Sequence, residues 1–367
     1  MQLIATRRIL PVAAAVLLAL SLPAPASAAP SSPAAGTSAT GTSVAATLDG
    51  LASRLARSLA DGRTRAAVTQ AVLAGPLTLA AIPDAALRTH ATAADRAVLA
   101  AKGLPASLGA VTTVRLALPR MRAALARGQA PLVAAASSDD TATTITAYDL
   151  SGRAVALDPD RAPQRPVLVV EVDSAKTVPA GLDVVRRELA RRGVTGAPAA
   201  ATLAGGYWAT KINAVRLSDD EEPWIKGAAE IYCVVGGFGL DGHPKVDIVQ
   251  LPYLDNDGTT YYPNQLLVHF SAYKYNLADV VMMEDDGDTN YQALAQAIAT
   301  VLLTITDQGV YIPLVNAIIN AIPTSWWTDD PDYVDSWYTL STGSSGRLNG
   351  AAANGWLDVS PYWVAPL

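Results

Sequence analysis

Between residues 207 and 364 the chain falls into short runs that alternate apolar and polar side chains, divided by turns of Gly, Asn, Asp and Pro. Alternation at period two puts one set of side chains on each face of an extended strand, so such a region keeps its apolar faces dry only by stacking sheets. The strands expected are 207–217, 229–235, 245–254, 265–273, 280–284, 332–340 and 356–364. Two apolar helical stretches, 291–304 and 311–322, interrupt the series. Neither reaches the roughly 20 residues of a membrane span, and Asp307, Gln308, Gly309 and Pro313 break a fused one, so both read as buried core helices. Residues 205–367 are thus expected to form an antiparallel sandwich with a two-helix insertion.

Ahead of this region the pattern changes. Arg7 and Arg8, an apolar run from Ile9 to Leu22 and the small residues Ala26-Ser27-Ala28 give the basic, apolar, A-x-A order of a secretory signal peptide, with cleavage expected after Ala28. Pro11 and Pro23 bracket a stretch too short for a membrane anchor. Secretion is therefore the expected localisation. Residues 29–47 hold no charge and read as a flexible leader. From 48 to 128 the text is rich in Ala, with Leu48, Leu51, Leu55 and Leu59 at helical spacing, and prolines at 76, 83, 105 and 119 divide it into several short helices. A linker is expected at 129–141. Residues 142–204 read as a hairpin around Asp149-Leu150-Ser151-Gly152, a strand at 167–172 and a helix at 180–192 stopped by Gly193, all packing on the next domain. The fold class expected is α+β: an Ala-rich helical segment, then a C2-like β-sandwich.

Charge is distributed unevenly. Residues 29–204 carry 19 Lys and Arg against 13 Asp and Glu, net +6, and residues 205–367 carry 6 against 20, net −14. An acidic half repels phosphate backbones, which excludes nucleic acid as its expected partner, and the opposite signs favour docking of the basic N-terminal half on the acidic C-terminal half. The lone cysteine, Cys233, shares a strand face with Ile231 and Val235 and reads as a buried apolar residue.

Three acidic clusters stand at strand ends: one with Asp219, Asp220 and Glu222, one with Asp255 and Asp257, and one with Glu284, Asp285, Asp286 and Asp288. Calcium takes six to eight oxygens, which loops from neighbouring strands can supply together, and Glu230, on the strand face opposite Cys233, could add another. Calcium is the expected cofactor, and solvated surface turns are the bland alternative. No EF-hand is present. Counted from Asp255, positions six and twelve are Thr260 and Leu266, and from Asp286 they are Tyr291 and Ala297, so the required Gly and Glu are missing.

This arrangement resembles C2-like sandwiches, whose Asp-rich calcium loops cluster at one end of the sheet pair. Membrane docking is not expected, since the acidic half lacks a basic lipid-facing patch. More closely, the runs Leu217-Ser-Asp-Asp-Glu-Glu-Pro-Trp224, Glu230-Ile-Tyr232, Leu254-Asp-Asn-Asp-Gly258, Tyr261-Tyr-Pro-Asn-Gln265, Glu284-Asp-Asp-Gly-Asp288 and Asp332-Tyr-Val-Asp335 resemble an uncharacterised family of exported bacterial proteins, a domain of unknown function. The resemblance covers about 165–365 and implies no activity.

Catalytic motifs are scarce. His90, His243 and His269 are scattered, with no H-E-x-x-H, and Gly343-Ser344-Ser345-Gly346 is one residue short of a nucleophile elbow. A carboxylate pair for glycoside hydrolysis remains open, because it is defined by distance in space. Trp326, Trp327, Trp337, Trp356 and Trp363 could stack on sugars or pack the core. The expected role is therefore a secreted calcium-binding module for an extracellular ligand, with a polysaccharide hydrolase as the alternative.

Overall fold

In the computed structural model, residues 43–136, 142–196, 205–219, 224–227, 229–285, 287, 289–322 and 333–366 are described. The signal-like segment lies outside these residues. The first helices begin where an oxygen-bearing side chain satisfies a free amide. Ser43 accepts from the Ala46 amide ahead of α1 (Val44–Ser58), Asp61 from Thr64 ahead of α2 (Gly62–Ala74), and Asp84 from Leu87 ahead of α3 (Ala85–Ala101). Each such cap stabilises its helix by about 1 kcal/mol. The leucine stripe at 48, 51, 55 and 59 is buried. Because α1 starts at Val44, the leader ends earlier than its composition implies.

The region 48–128 is not purely helical, and 129–141 is not a simple linker. β1 (Leu77–Thr78), β2 (Thr112–Leu116), β3 (Leu132–Ala135), β4 (Ile145–Tyr148), β5 (Ala154–Leu157) and β6 (Val167–Val172) make one sheet in the order β1-β2-β6-β3-β4-β5. All pairs are antiparallel except β3 with β6. β3 is an apolar Leu-Val-Ala-Ala run, buried on both faces, and therefore shows no period-two signal. After the short α4 (Arg122–Ala126) and the hairpin, α5 runs from Ser174 to Arg191, six residues longer at its start than expected, and carries Pro179 within it.

The second half holds two four-stranded antiparallel sheets. One has the order β10-β7-β14-β13, formed by β7 (Tyr207–Leu217), β10 (Gln265–His269), β13 (Gly346–Asn349) and β14 (Gly355–Val364). The other has the order β12-β11-β8-β9, formed by β8 (Ile231–Phe238), β9 (Pro244–Gln250), β11 (Leu277–Glu284) and β12 (Tyr333–Ser341). They share one core, where Ile212, Val215, Leu357 and Val359 meet Ile231, Cys233, Val280 and Met282. The other face of the second sheet, with Tyr232, Val234, Val281 and Met283, joins a larger core that takes in α1, α3, α5 and two further helices, α6 (Tyr291–Leu302) and α7 (Val315–Ala321). β8 is accordingly buried at every residue.

The protein is thus α+β. α7 begins four residues later than expected because Asp279 holds the preceding segment in place, accepting from Tyr311 Oη (2.8 Å) and from the Leu314 amide (2.5 Å). α5 crosses α6 closely, and Gly181 permits it: a methyl group there would overlap the Tyr291 ring.

A buried carboxylate site

Glu171 is the penultimate residue of β6, and α5 opens with Ser174 two residues after β6 stops. Glu171 pairs in register with Thr113 of β2, so Arg115, two residues along, lies on the same face and reaches it: Arg115 Nε to Glu171 Oε2 is 2.7 Å. Their side chains are 17% and 19% exposed, so water reaches this pair. Residues 224–227 lean on the same face. Arg115 Nη2 donates to the Ile225 carbonyl (2.8 Å), and Trp224 Nε1 donates to the Asp158 carbonyl (3.1 Å).

The sandwich supplies the opposite wall. Glu230 leads into β8 and Asp285 follows β11, joined by the Asp285 amide donating to the Glu230 carbonyl (3.2 Å). By strand alternation both carboxyls lie on the face opposite Cys233, toward the helical layer. There Tyr291 Oη donates to Asp285 Oδ2 (2.9 Å), and Lys102 Nζ, beyond the end of α3, sits 3.6 Å from the same oxygen and donates to the Gly287 carbonyl (3.1 Å). Lys102 and Asp285 are sealed from water, whereas Glu171 and Glu230 are half-buried.

These surroundings set the protonation states. Burial pushes Glu230 up to about 8; a hydrogen bond from Ser174 opposes the rise, the charges of Asp285 and Glu171 add to it, and Lys102 opposes it. Burial likewise pushes Glu171 up to about 7 against the pull of Arg115. Tyr291 is raised well above the ordinary phenol range by burial and by Asp285. Such a constellation can hold a proton at neutral pH on one carboxyl and exchange one on the other.

The acidic residues singled out from sequence divide into two places. The Asp219 amide donates to Asn354 Oδ1 (3.0 Å), and the Gly258 amide donates to the Leu217 carbonyl (2.9 Å), so the Asp255 and Asp257 turn flanks the same end of β7 as Asp219. Asp257 is exposed there, and Asp255 Oδ1 accepts from Tyr261 Oη (2.8 Å). Glu230 and Asp285 belong instead to the buried site, and Glu284 is buried at the end of β11 with its side chain on the Cys233 face. Asp220, Glu222, Asp286 and Asp288 lie outside the described residues. Among the described residues no group of three or more His, Cys, Asp or Glu is placed to hold a metal ion.

Cys233 is buried in the sandwich core, and burial pushes its thiol far above the ordinary range. Trp337 is a core residue donating to the Leu348 carbonyl (3.0 Å), Trp363 is exposed, and Trp326 and Trp327 lie outside the described residues. Arg115, Glu171, Ser174, Lys102 and Tyr291 were not among the residues read as functional. The available signal was Glu171 itself, an acid inside the apolar run Val167-Leu-Val-Val-Glu-Val172.

No curated protein and no solved structure matches the chain. A family model described as Protein of unknown function (DUF3103) matches residues 41–367, a span that takes in the helical region as well as the sandwich.

Proposed function

We propose, for a chain that belongs to the DUF3103 family, that it acts outside the cell as an acid–base hydrolase with Glu230 and Glu171 as its carboxyl pair. The observation that carries this reading is the presence of two half-buried carboxyls, one raised to about 8 and the other to about 7, in one polar site with Arg115 and Lys102. At pH 7 Glu230 retains its proton and can give it to the oxygen of a departing group. Glu171 titrates near that pH, and as the carboxylate beside Arg115 it can take a proton from the attacking water, whose oxygen bonds to the substrate carbon. Arg115 holds the Glu171 carboxylate in one orientation. The N-terminal basic, apolar and A-x-A pattern supports an extracellular site of action. An extracellular polysaccharide is the substrate class that suits a carboxyl pair.

The test is hydrolysis of a panel of aryl glycosides and cell-wall polysaccharides by the mature chain and by Glu230→Gln. Activity that Glu230→Gln abolishes supports the assignment. Inactivity across the panel, or a fully active Glu230→Gln, sinks it.

A second reading is a calcium site on the wet rim, in the manner implied by the C2-like resemblance. It is favoured by the Gly258 amide donating to the Leu217 carbonyl, which brings the turn holding Asp255 and Asp257 to the end of β7 that leads into Asp219.

A further inference from the structure

The sheet β10-β7-β14-β13 departs from the charge of its surroundings. Residues 205–367 hold six Lys and Arg and twenty Asp and Glu, yet these four strands contain three of the cations, Lys211, Arg216 and Arg347, and one of the acids, Asp358. All four lie on one face. Ile212, Val215, Leu357 and Val359 point into the sandwich core, so strand alternation, with a bulge at Asn213, turns Lys211, Arg216, Asp358 and Tyr362 outward together with Trp356 and Arg347.

The cations are arranged around aromatic rings. Lys211 Nζ lies 5.6 Å from the centre of the Tyr362 ring, and Arg347 Cζ lies 3.8 Å from that of Trp356, with Arg216 opposite Trp356 across the strand pair. Arg216 and Arg347 are exposed, and Tyr362 is 45% exposed. Among the described residues, none of the three cations forms an ion pair, whereas Lys245 is paired with Asp241 and Lys274 with Asp307. Between the two cation–ring pairs runs a polar ladder in which Asn213 Nδ2 donates to Asp358 Oδ1 (3.1 Å) and Ser360 Oγ donates to Asn213 Oδ1 (3.0 Å).

We propose that this outer sheet face binds a carboxylated polysaccharide chain. Aromatic rings offer the apolar plane on which a sugar ring lies, and guanidinium groups match a carboxylate with two parallel hydrogen bonds. Lys211 and Arg216 are separated by roughly 15 Å of strand at about 3.3 Å per residue, a length that suits several consecutive sugars and exceeds a single small anion. A nucleic-acid duplex presents the same kinds of group, but with one phosphate per about 1.7 Å of its axis it would meet more repulsion from a half bearing net −14 than a polysaccharide with one carboxylate per sugar does. The face is separate from the Glu171 and Glu230 site, and the inference stands whether or not that site is catalytic.

Affinity electrophoresis of the full chain in gels containing polygalacturonate tests it, with dextran as the neutral control and a labelled single-stranded oligonucleotide as the competing polyanion. Polygalacturonate should retard the protein and dextran should not, added salt should weaken the effect, and Arg216→Ala with Arg347→Ala should weaken binding at least tenfold with the melting temperature unchanged. Glu230→Gln should bind as the parent does. If the Arg double variant fails to fold, Lys211→Gln with Tyr362→Ala carries the same expectation. Unaltered mobility in polygalacturonate, equal retardation by dextran, tighter binding to the oligonucleotide, or full binding by folded face variants would each overturn the proposal.

Discussion

Lys102 Nζ stands 3.6 Å from Asp285 Oδ2, with the two side chains 1% and 3% exposed, and this charge pair ties the helical layer to the rim of the second sandwich sheet. Each charge lowers the cost of keeping the other so far from water.

Replacing Lys102 by Met should therefore destabilise the protein by about 3–5 kcal/mol, because Asp285 is left charged in a dry site. Adding Asp285→Asn should restore part of the loss. Urea denaturation of the two single variants and the double variant measures the coupling, and purely additive effects would refute it.

Stability should fall as pH rises from about 5 to 8. The folded chain keeps protons on Glu171, raised to about 7, and Glu230, raised to about 8, that an unfolded chain with ordinary glutamates near 4.5 has already released, so deprotonation favours unfolding throughout that window. The loss should be on the order of a few kcal/mol after allowance for the partial exposure of both groups. Below the window the balance reverses. Asp149, held near 2 by its hydrogen bond from Ser151, and Asp307, held near 2 by Lys274, contribute stability that is lost as pH falls toward their folded values. Melting temperature followed from pH 3 to 9 should peak near pH 4 to 5, and Glu230→Gln should flatten the alkaline limb.

Gly181→Ala should be far more costly than an ordinary helical replacement, which would gain stability. The added methyl overlaps the Tyr291 ring, so α5 and α6 must separate or the ring must turn away from Asp285. A loss of at least 1–3 kcal/mol is expected by thermal melting. Tyr291→Phe, which removes only the hydroxyl, should cost less, and its combination with Gly181→Ala should be no milder than Gly181→Ala alone.

If the wet rim binds calcium, millimolar calcium should raise the melting temperature, with a gain of about 1.8 kcal/mol when the ion is at twenty times its dissociation constant. Asp255→Asn with Asp257→Asn should abolish that rise while leaving the calcium-free melting temperature nearly unchanged. A parent protein indifferent to calcium would end the reading.

Much of the fold was legible in local pattern. β6 and β7 run over the residues that their apolar periodicity marks, Cys233 faces the core with Ile231 and Val235, and the leucines of α1 are all buried. In each case a side chain's destination depends on its place in a repeat of two or 3.6 residues, and a few neighbours in the chain contain that information. β3 was missed because a short strand in the middle of a mixed sheet is apolar on both faces and lacks a period, and the start of α5 was missed because Pro179 suggests a boundary where the chain accommodates one.

The chemistry belongs to the tertiary structure. Lys102, Arg115, Glu171, Glu230 and Asp285 come from separate segments, and nothing in the spacing of these residues joins them. The sequence alone determined that the second half would stack strands and carry the acidic charge. Packing of α5 and α6 against β8 and β11 decided which acids stayed in water at the rim and which were drawn into a dry junction. The cost of charging a carboxyl depends on the solvent and charges around it in space, so one carboxyl lies exposed in a turn at Asp257 while burial raises the pKa of another at Glu230.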